Sequence, residues 1–150
     1  MRKISALAVA FVAVVAVSLA ANLDTNIVGK WNGSIQVDTS KIPPMTDPAM
    51  KKKVDETLAK LKKAKIVVMI KKDHTYTTKS TGMPNMAGGP DKNTVSEGTW
   101  KQDGKVVTLT TTKEDGKPAK NAGDSQAFTI SKDGKSMSAN LPGATVVLKR

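Results

Sequence analysis

The fold of this chain is decided by one stretch, Ile27-Val28-Gly29-Lys30-Trp31-Asn32-Gly33-Ser34-Ile35-Gln36-Val37. Its odd-numbered residues are apolar or glycine, whereas the even-numbered residues from Lys30 onward are polar. This period of two predicts a half-buried antiparallel strand. The glycines on either side of Trp31 suit a strand that bends around a large ring. The Gly-x-Trp pattern returns at Gly98-Thr99-Trp100, so we expect both tryptophans in similar settings.

The first 20 residues predict a secretory signal peptide. Met1-Arg2-Lys3 is basic, residues 4–17 are apolar apart from one serine, and Ser18-Leu19-Ala20 supplies small residues before a cleavage site. The alternative, a membrane anchor, would need a longer span and a basic flank, which residues 21–24 do not provide. We therefore expect cleavage before Ala21, a secreted or periplasmic protein, and no membrane span in what remains.

Composition predicts that residues 21–150 form a single domain with its own core. The formal charge of the 150-residue chain is +11, and it falls to +9 without Arg2 and Lys3. The absence of cysteine excludes a disulfide and a lipid-bearing thiol. Lysine supplies nearly all of the positive charge and occurs in every segment, which is typical of a solvated surface. The alternative is that this charge meets an anionic partner.

An amphipathic helix is predicted from about residue 47 to residue 64. Asp47 can accept hydrogen bonds from the free amides of the first turn, and Pro48 has the fixed φ that suits the first helical position. The apolar residues recur at spacings of four, four and three, and they are Met50, Val54, Leu58 and Leu61. We expect this stripe to pack on the strands rather than on an anionic membrane, because it contains no Trp or Phe.

Seven further strands follow the helix in this prediction, over residues 66–70, 75–81, 94–101, 106–113, 125–131, 136–141 and 145–150. Asp103-Gly104 and Asp133-Gly134 each join two such runs, and Asp-Gly is a strong hairpin signal. Asp73-His74 forms a third short turn. Eight consecutive strands predict a mostly β fold, an antiparallel up-and-down barrel with the helix between strands one and two. The alternative is a pair of stacked sheets. Strand two is apolar on both faces, so we expect the helix to cover its outer face.

The order of the connections assigns the two ends of the barrel. The connections after strands two, four and six are short, whereas three of the other four are long. One end is therefore closed by tight turns, and the other is a mouth ringed by long segments.

This arrangement, with a Gly-x-Trp near the start of strand one, resembles the lipocalin or calycin-type domains, in particular the small secreted lipocalin-like domains of bacteria. The resemblance implies that Trp31 closes the narrow end and that a basic side chain from the end of the chain covers it. Arg150 is our candidate for that cover, with Lys149 as the alternative. Lipocalins usually carry their long helix after the barrel, whereas here it lies in the first connection.

The sequence argues against an enzyme. It has one histidine, His74, and no cysteine, so its serines lack the partners of a nucleophile–base pair. Its aspartates mostly occupy turns. We expect no catalytic residues and no cofactor.

Binding of a small apolar or amphiphilic molecule is the function that the predicted barrel favours, because about eight strands can enclose one. The predicted lining is Trp31, Ile35, Val68, Ile70, Trp100, Val107, Leu109, Phe128, Ile130, Met137, Val146 and Leu148. Lysines at the mouth favour a ligand with an anionic head, and they are Lys51, Lys92, Lys117 and Lys120. The alternative is a filled barrel that acts as a structural or interaction module.

The sequence leaves two other kinds of partner as alternatives, a metal ion and an anionic surface. Met83 and Met86, with Met45 at the same end, are soft thioether ligands that could bind cuprous ion, although ordinary loop methionines explain the pattern as well. The lysine-rich surface could meet an anionic surface or polymer. No row of aromatic residues accompanies the lysines, which argues against specific nucleic-acid binding. We expect a monomer.

Overall fold

The computed structural model describes residues 26–85 and 89–150. The predicted signal peptide, residues 1–20, and Met86 lie outside these residues. The strands are β1 (Gly29–Val37), β2 (Lys65–Ile70), β3 (Thr75–Met83), β4 (Lys92–Asp103), β5 (Val106–Glu114), β6 (Lys117–Pro118), β7 (Ser125–Ile130), β8 (Ser136–Leu141) and β9 (Ala144–Lys149). A 3-10 turn (Thr39–Lys41) and helix α1 (Pro48–Lys63) connect β1 to β2.

Eight of these strands form a closed antiparallel barrel. The order around it is β1-β2-β3-β4-β5-β7-β8-β9, and the pairing of β9 with β1 completes the circle. The two-residue β6 pairs only with β5, outside this circle. Closure pairs every barrel strand on both sides and leaves no exposed sheet edge. The predicted eight-stranded barrel is confirmed, and the alternative of two stacked sheets is wrong.

Helix α1 is confirmed with the predicted caps. The Asp47 carboxylate accepts a hydrogen bond from the Ala49 amide at 2.8 Å, and Pro48 is the first helical residue. At the other end the Ala64 amide donates to the Lys60 carbonyl at 2.9 Å. The helix packs against β1 and β3. The Lys60 ammonium lies 2.9 Å from Asp91, which ties the helix to the β3–β4 connection.

The apolar stripe of α1 is only partly covered. Val54, Leu58 and Leu61 are half-buried, and Met50 is 58% exposed. The expected cover over the outer face of β2 is also missing, since Met69 is 39% exposed. The helix packs mainly against the strands that flank β2, and of the outer side chains of β2, Lys65 and Met69 are exposed and Val67 is half-buried.

Glycine allows two close approaches on the inner face of the barrel. A Cβ on Gly98 would lie 1.9 Å from the Thr110 carbonyl oxygen and 2.8 Å from Cε1 of Tyr76. The register of β4 against β5 shifts at this point, between Glu97 and Gly98. A Cβ on Gly33 would lie 2.6 Å from Cδ2 of Leu148. In both places a large side chain on the neighbouring strand occupies the space that glycine leaves, which lets the barrel bend.

Candidate binding site

The closed end of the barrel is sealed around Trp31. This ring is fully buried, and its indole nitrogen donates to the Ile27 carbonyl at 2.8 Å. The Arg150 guanidinium lies over the ring, 4.5 Å from its centroid, and also donates to the Asn26 carbonyl. The two ends of the described chain therefore meet over Trp31, with Arg150 in the place that the lipocalin resemblance implies.

Trp100 seals the same end from the other side of the barrel. Its indole nitrogen donates to the Lys71 carbonyl at 2.8 Å, and its amide donates to the His74 carbonyl at 2.9 Å. The His74 ring stacks on the indole with a centroid distance of 4.7 Å. The single histidine thus lies in the turn that precedes β3 and is held against Trp100, far from the mouth.

The closed half of the barrel is solid. The predicted lining residues other than Ile35 and Val146 are buried against one another in one core. Ile27, Tyr76 and Ala139 belong to the same core but were not predicted. The signal is weak for Tyr76, because the other inward positions of its strand carry hydroxyl groups, and for Ala139, because its side chain is small. These buried side chains form a floor, and the inward positions closer to the mouth are only half-buried.

Small hydroxyl side chains line one wall of the upper interior. Cross-strand partners share a face of a sheet, and the register pairs Val68 with Thr78 and Thr78 with Ser96. One step closer to the mouth, Ile66 pairs with Ser80 and Ser80 with Thr94. Because Val68 belongs to the core, the partners in these rows also face inward. The members of this hydroxyl wall are half-buried, and they are Thr78, Ser80, Thr94 and Ser96.

The neighbouring wall of the upper interior is apolar. Ile35 of β1 pairs with Val146 of β9, and Gly33 pairs with Ile66 of β2. Ile35, Ile66 and Val146 are half-buried, whereas the residues below them are fully buried. The upper interior is therefore a cup with an apolar wall on β9, β1 and β2 and a hydroxyl wall on β3 and β4. Sequence reasoning missed the hydroxyl wall, since serine and threonine occupy both faces of β3.

Tyr76 stands between the floor and the hydroxyl side of the cup. Its hydroxyl lies 2.9 Å from the Thr111 hydroxyl on β5. Burial raises the pKa of the Tyr76 phenol, and the hydrogen bond with Thr111 opposes that rise only in part. The phenol therefore stays neutral near pH 7 and presents one more hydrogen-bonding group at the base of this wall.

The cup continues under the helix. A cavity of about 300 Å³ is lined by Ile35 and Val37 of β1 together with Leu58 and Lys62 of α1. A second cavity of about 390 Å³ adjoins it, because both share Thr39 and Leu58. Its lining is mainly apolar and includes Ile42, Pro43, Pro44, Met45 and Val54, with Lys51 and Asp55 also present. The uncovered apolar stripe of α1 thus faces a groove at the mouth.

The mouth lysines and the methionines are placed as follows. Lys51 lies in the wall of the groove, while the exposed Lys92, Lys117 and Lys120 lie on the other mouth segments. Met45 lines the groove and Met83 ends β3. Among residues 26–85 and 89–150, no cluster of three or more His, Asp or Glu side chains could hold a metal ion.

Comparison with known proteins adds no relative: no family model, curated protein or solved structure matches this chain. Within the described part of the chain, no helix has the length and apolar character needed to cross a membrane. The geometry of the barrel therefore carries the functional argument.

Proposed function

We propose that this is an exported, non-enzymatic binding protein of lipocalin-like type that holds a small amphiphilic molecule in the upper half of its barrel. The observation that carries this proposal is the upper interior, in which half-buried apolar and hydroxyl walls adjoin each other above a buried core.

The two walls suggest how the ligand lies. An apolar chain would pack on Ile35, Ile66 and Val146, and a polar group along it would find hydroxyl partners on the adjoining strands β3 and β4. Lys51 and Lys62 border the adjoining cavities and suit an anionic head group. Burial of about 300 Å² of ligand surface would gain about 8 kcal/mol at 25 cal/mol per Å². Association costs several kcal/mol of this gain, so we expect a Kd in the micromolar range or weaker.

Catalysis by the hydroxyl wall is disfavoured by the position of the histidine. His74 stacks on Trp100 at the closed end, while the serines and threonines of the wall lie toward the mouth. A serine nucleophile needs a base within hydrogen-bond reach. Hydrogen bonding to a ligand is the role that this arrangement leaves for the wall.

The test is a titration of residues 21–150, which include every described strand and helix, with fatty acids and a fluorescent apolar probe. The double variant Ser80→Leu/Ser96→Leu fills the cup with apolar side chains, and we expect it to lower probe affinity at least tenfold. The matched control is Lys79→Leu/Glu97→Leu, which changes outward-facing neighbours on the same two strands and keeps the net charge. This control should bind the probe as the wild type does.

Binding should persist at high salt, because the apolar wall supplies most of the free energy. The proposal fails if the wild type shows a cooperative thermal transition but takes up neither the fatty acids nor the probe. It also fails if the cup variant and the control bind equally well. Either result would favour the alternative of a filled barrel whose function lies on its outer surface.

A further inference from the structure

The closed end of the barrel carries an excess of positive charge that ligand binding does not use. The β2–β3, β4–β5 and β7–β8 turns meet there, together with the start of β1 and the end of β9. Backbone hydrogen bonds join these segments. The Ile130 amide donates to the Lys105 carbonyl at 2.7 Å, and the Arg150 amide donates to the Lys135 carbonyl at 3.2 Å. The cations of this closed-end face are Lys30, Lys71, Lys72, Lys101, Lys105, Lys132, Lys135, Lys149 and Arg150. Among the described residues, its side-chain carboxylates are Asp73, Asp103 and Asp133.

The charge of this face is not neutralised by ion pairs. Asp73 accepts from the Thr75 amide at 3.0 Å, and Asp133 accepts from the Lys135 amide at 3.1 Å, so both carboxylates serve the turns. The side-chain ion pairs found among residues 26–85 and 89–150 join Lys41 to Asp38 and Lys60 to Asp91, both outside this face. Arg150 is engaged with Trp31, whereas the eight lysines of the face are exposed.

The distribution of these lysines favours a flat anionic partner over a threaded one. Five of them lie in the three turns, and Lys30, Lys101 and Lys149 lie near the closed ends of β1, β4 and β9, around the rim of the barrel rather than along a groove. Trp31 and Trp100 are buried beneath them, so they offer no ring on which a nucleic-acid base could stack. Lysine is a hydrated point charge that attracts anions without the bidentate geometry of arginine.

We propose that the closed-end face docks the protein onto an anionic lipid bilayer by electrostatic attraction, with the mouth directed away from the lipid. Ile27 and Trp31 are buried at this end, whereas Val106 is 40% exposed, and contact through the exposed lysines does not require insertion into the hydrocarbon. Each lysine held near an anionic bilayer raises the partition coefficient of the protein onto the bilayer about fivefold. The orientation keeps the cup open to the aqueous phase while the protein is bound.

The experiment is sedimentation of residues 21–150 with vesicles of phosphatidylcholine, with and without phosphatidylglycerol. The test variant replaces five turn lysines by glutamine, namely Lys71, Lys72, Lys105, Lys132 and Lys135. The control makes the same change in charge on the helix and near the mouth, at Lys52, Lys53, Lys63, Lys65 and Lys113. All ten side chains are exposed, so both variants are expected to fold, and thermal unfolding monitors this.

We expect the wild type to bind only the vesicles that contain phosphatidylglycerol and to dissociate when salt rises from about 0.05 M to about 0.5 M. At about fivefold for each lysine, the five replacements multiply to about 3,000-fold, so the closed-end variant should bind more than a hundredfold more weakly than the wild type, and the control should lose less than tenfold. Equal losses in the two variants would overturn the proposal, because total charge would then explain binding. Salt-resistant binding, or preference for heparin or DNA over the vesicles, would overturn it as well.

Discussion

Removal of the Arg150 side chain is expected to destabilise the closed end by about 2 kcal/mol. An exposed cation–π contact contributes about 0.5–1 kcal/mol, and Arg150 makes one with Trp31 at 4.5 Å. A hydrogen bond from a charged donor contributes about 1.5 kcal/mol at the low end of its range, and Arg150 donates one to the Asn26 carbonyl. The low end applies because Arg150 is exposed to solvent. In a domain of this size the loss corresponds to a fall in Tm of about 6–8 °C.

Thermal unfolding of Arg150→Ala, followed by circular dichroism, measures this loss. Arg150→Lys keeps the charge but not the planar guanidinium, so we expect an intermediate Tm. Lys149→Ala is the matched control, since this exposed neighbour makes no contact with the ring. A Trp100→Phe background leaves Trp31 as the one tryptophan, and acrylamide should quench it more strongly once Arg150 is removed. If Arg150→Ala and Lys149→Ala unfold at the same temperature, the closure of Trp31 depends on the core alone.

Two further predictions concern the backbone and the turns. Gly98→Ala should lower the free energy of unfolding by more than about 3 kcal/mol. The added Cβ would lie 1.9 Å from the Thr110 carbonyl oxygen, so a strand must move. Gly33→Ala meets only side chains and should cost less, and equal urea midpoints for the two variants would contradict this reasoning. Hydrogen bonds from the neighbouring hydroxyls hold the pKa values of Asp73 and Asp133 below the ordinary 3.8. Their contribution to stability is therefore complete above about pH 4 and is lost as pH falls through the lowered folded-state values. The urea midpoint of the double variant Asp73→Asn/Asp133→Asn should fall less steeply with decreasing pH than that of the wild type. If the two midpoints fall equally steeply, other carboxylates cause the loss of stability in acid.

The candidate site could be predicted only in outline. The alternation around Trp31, the Asp-Gly turns and the caps of α1 are local signals, and each marks the element that the structure contains. The hydroxyl wall has no such signal, because β3 carries serine or threonine at Thr78 and Ser80 and also at outward positions such as Thr77. Which of these face the cup is decided by the register with Val68 and the other core residues of β2.

The sequence by itself determined the elements, their order and the division into a closed end and a mouth, because turn chemistry, capping and hydrophobic period act over a few residues. Only the tertiary structure decided that α1 leaves Met69 exposed, that Tyr76 lies over Gly98, and that lysines from distant turns gather on one face. These features arise from closure of the barrel, which places residues far apart in sequence on adjacent strands. Pairing between distant strands depends on how the whole sheet buries its apolar face, and no local stretch of the chain contains that information.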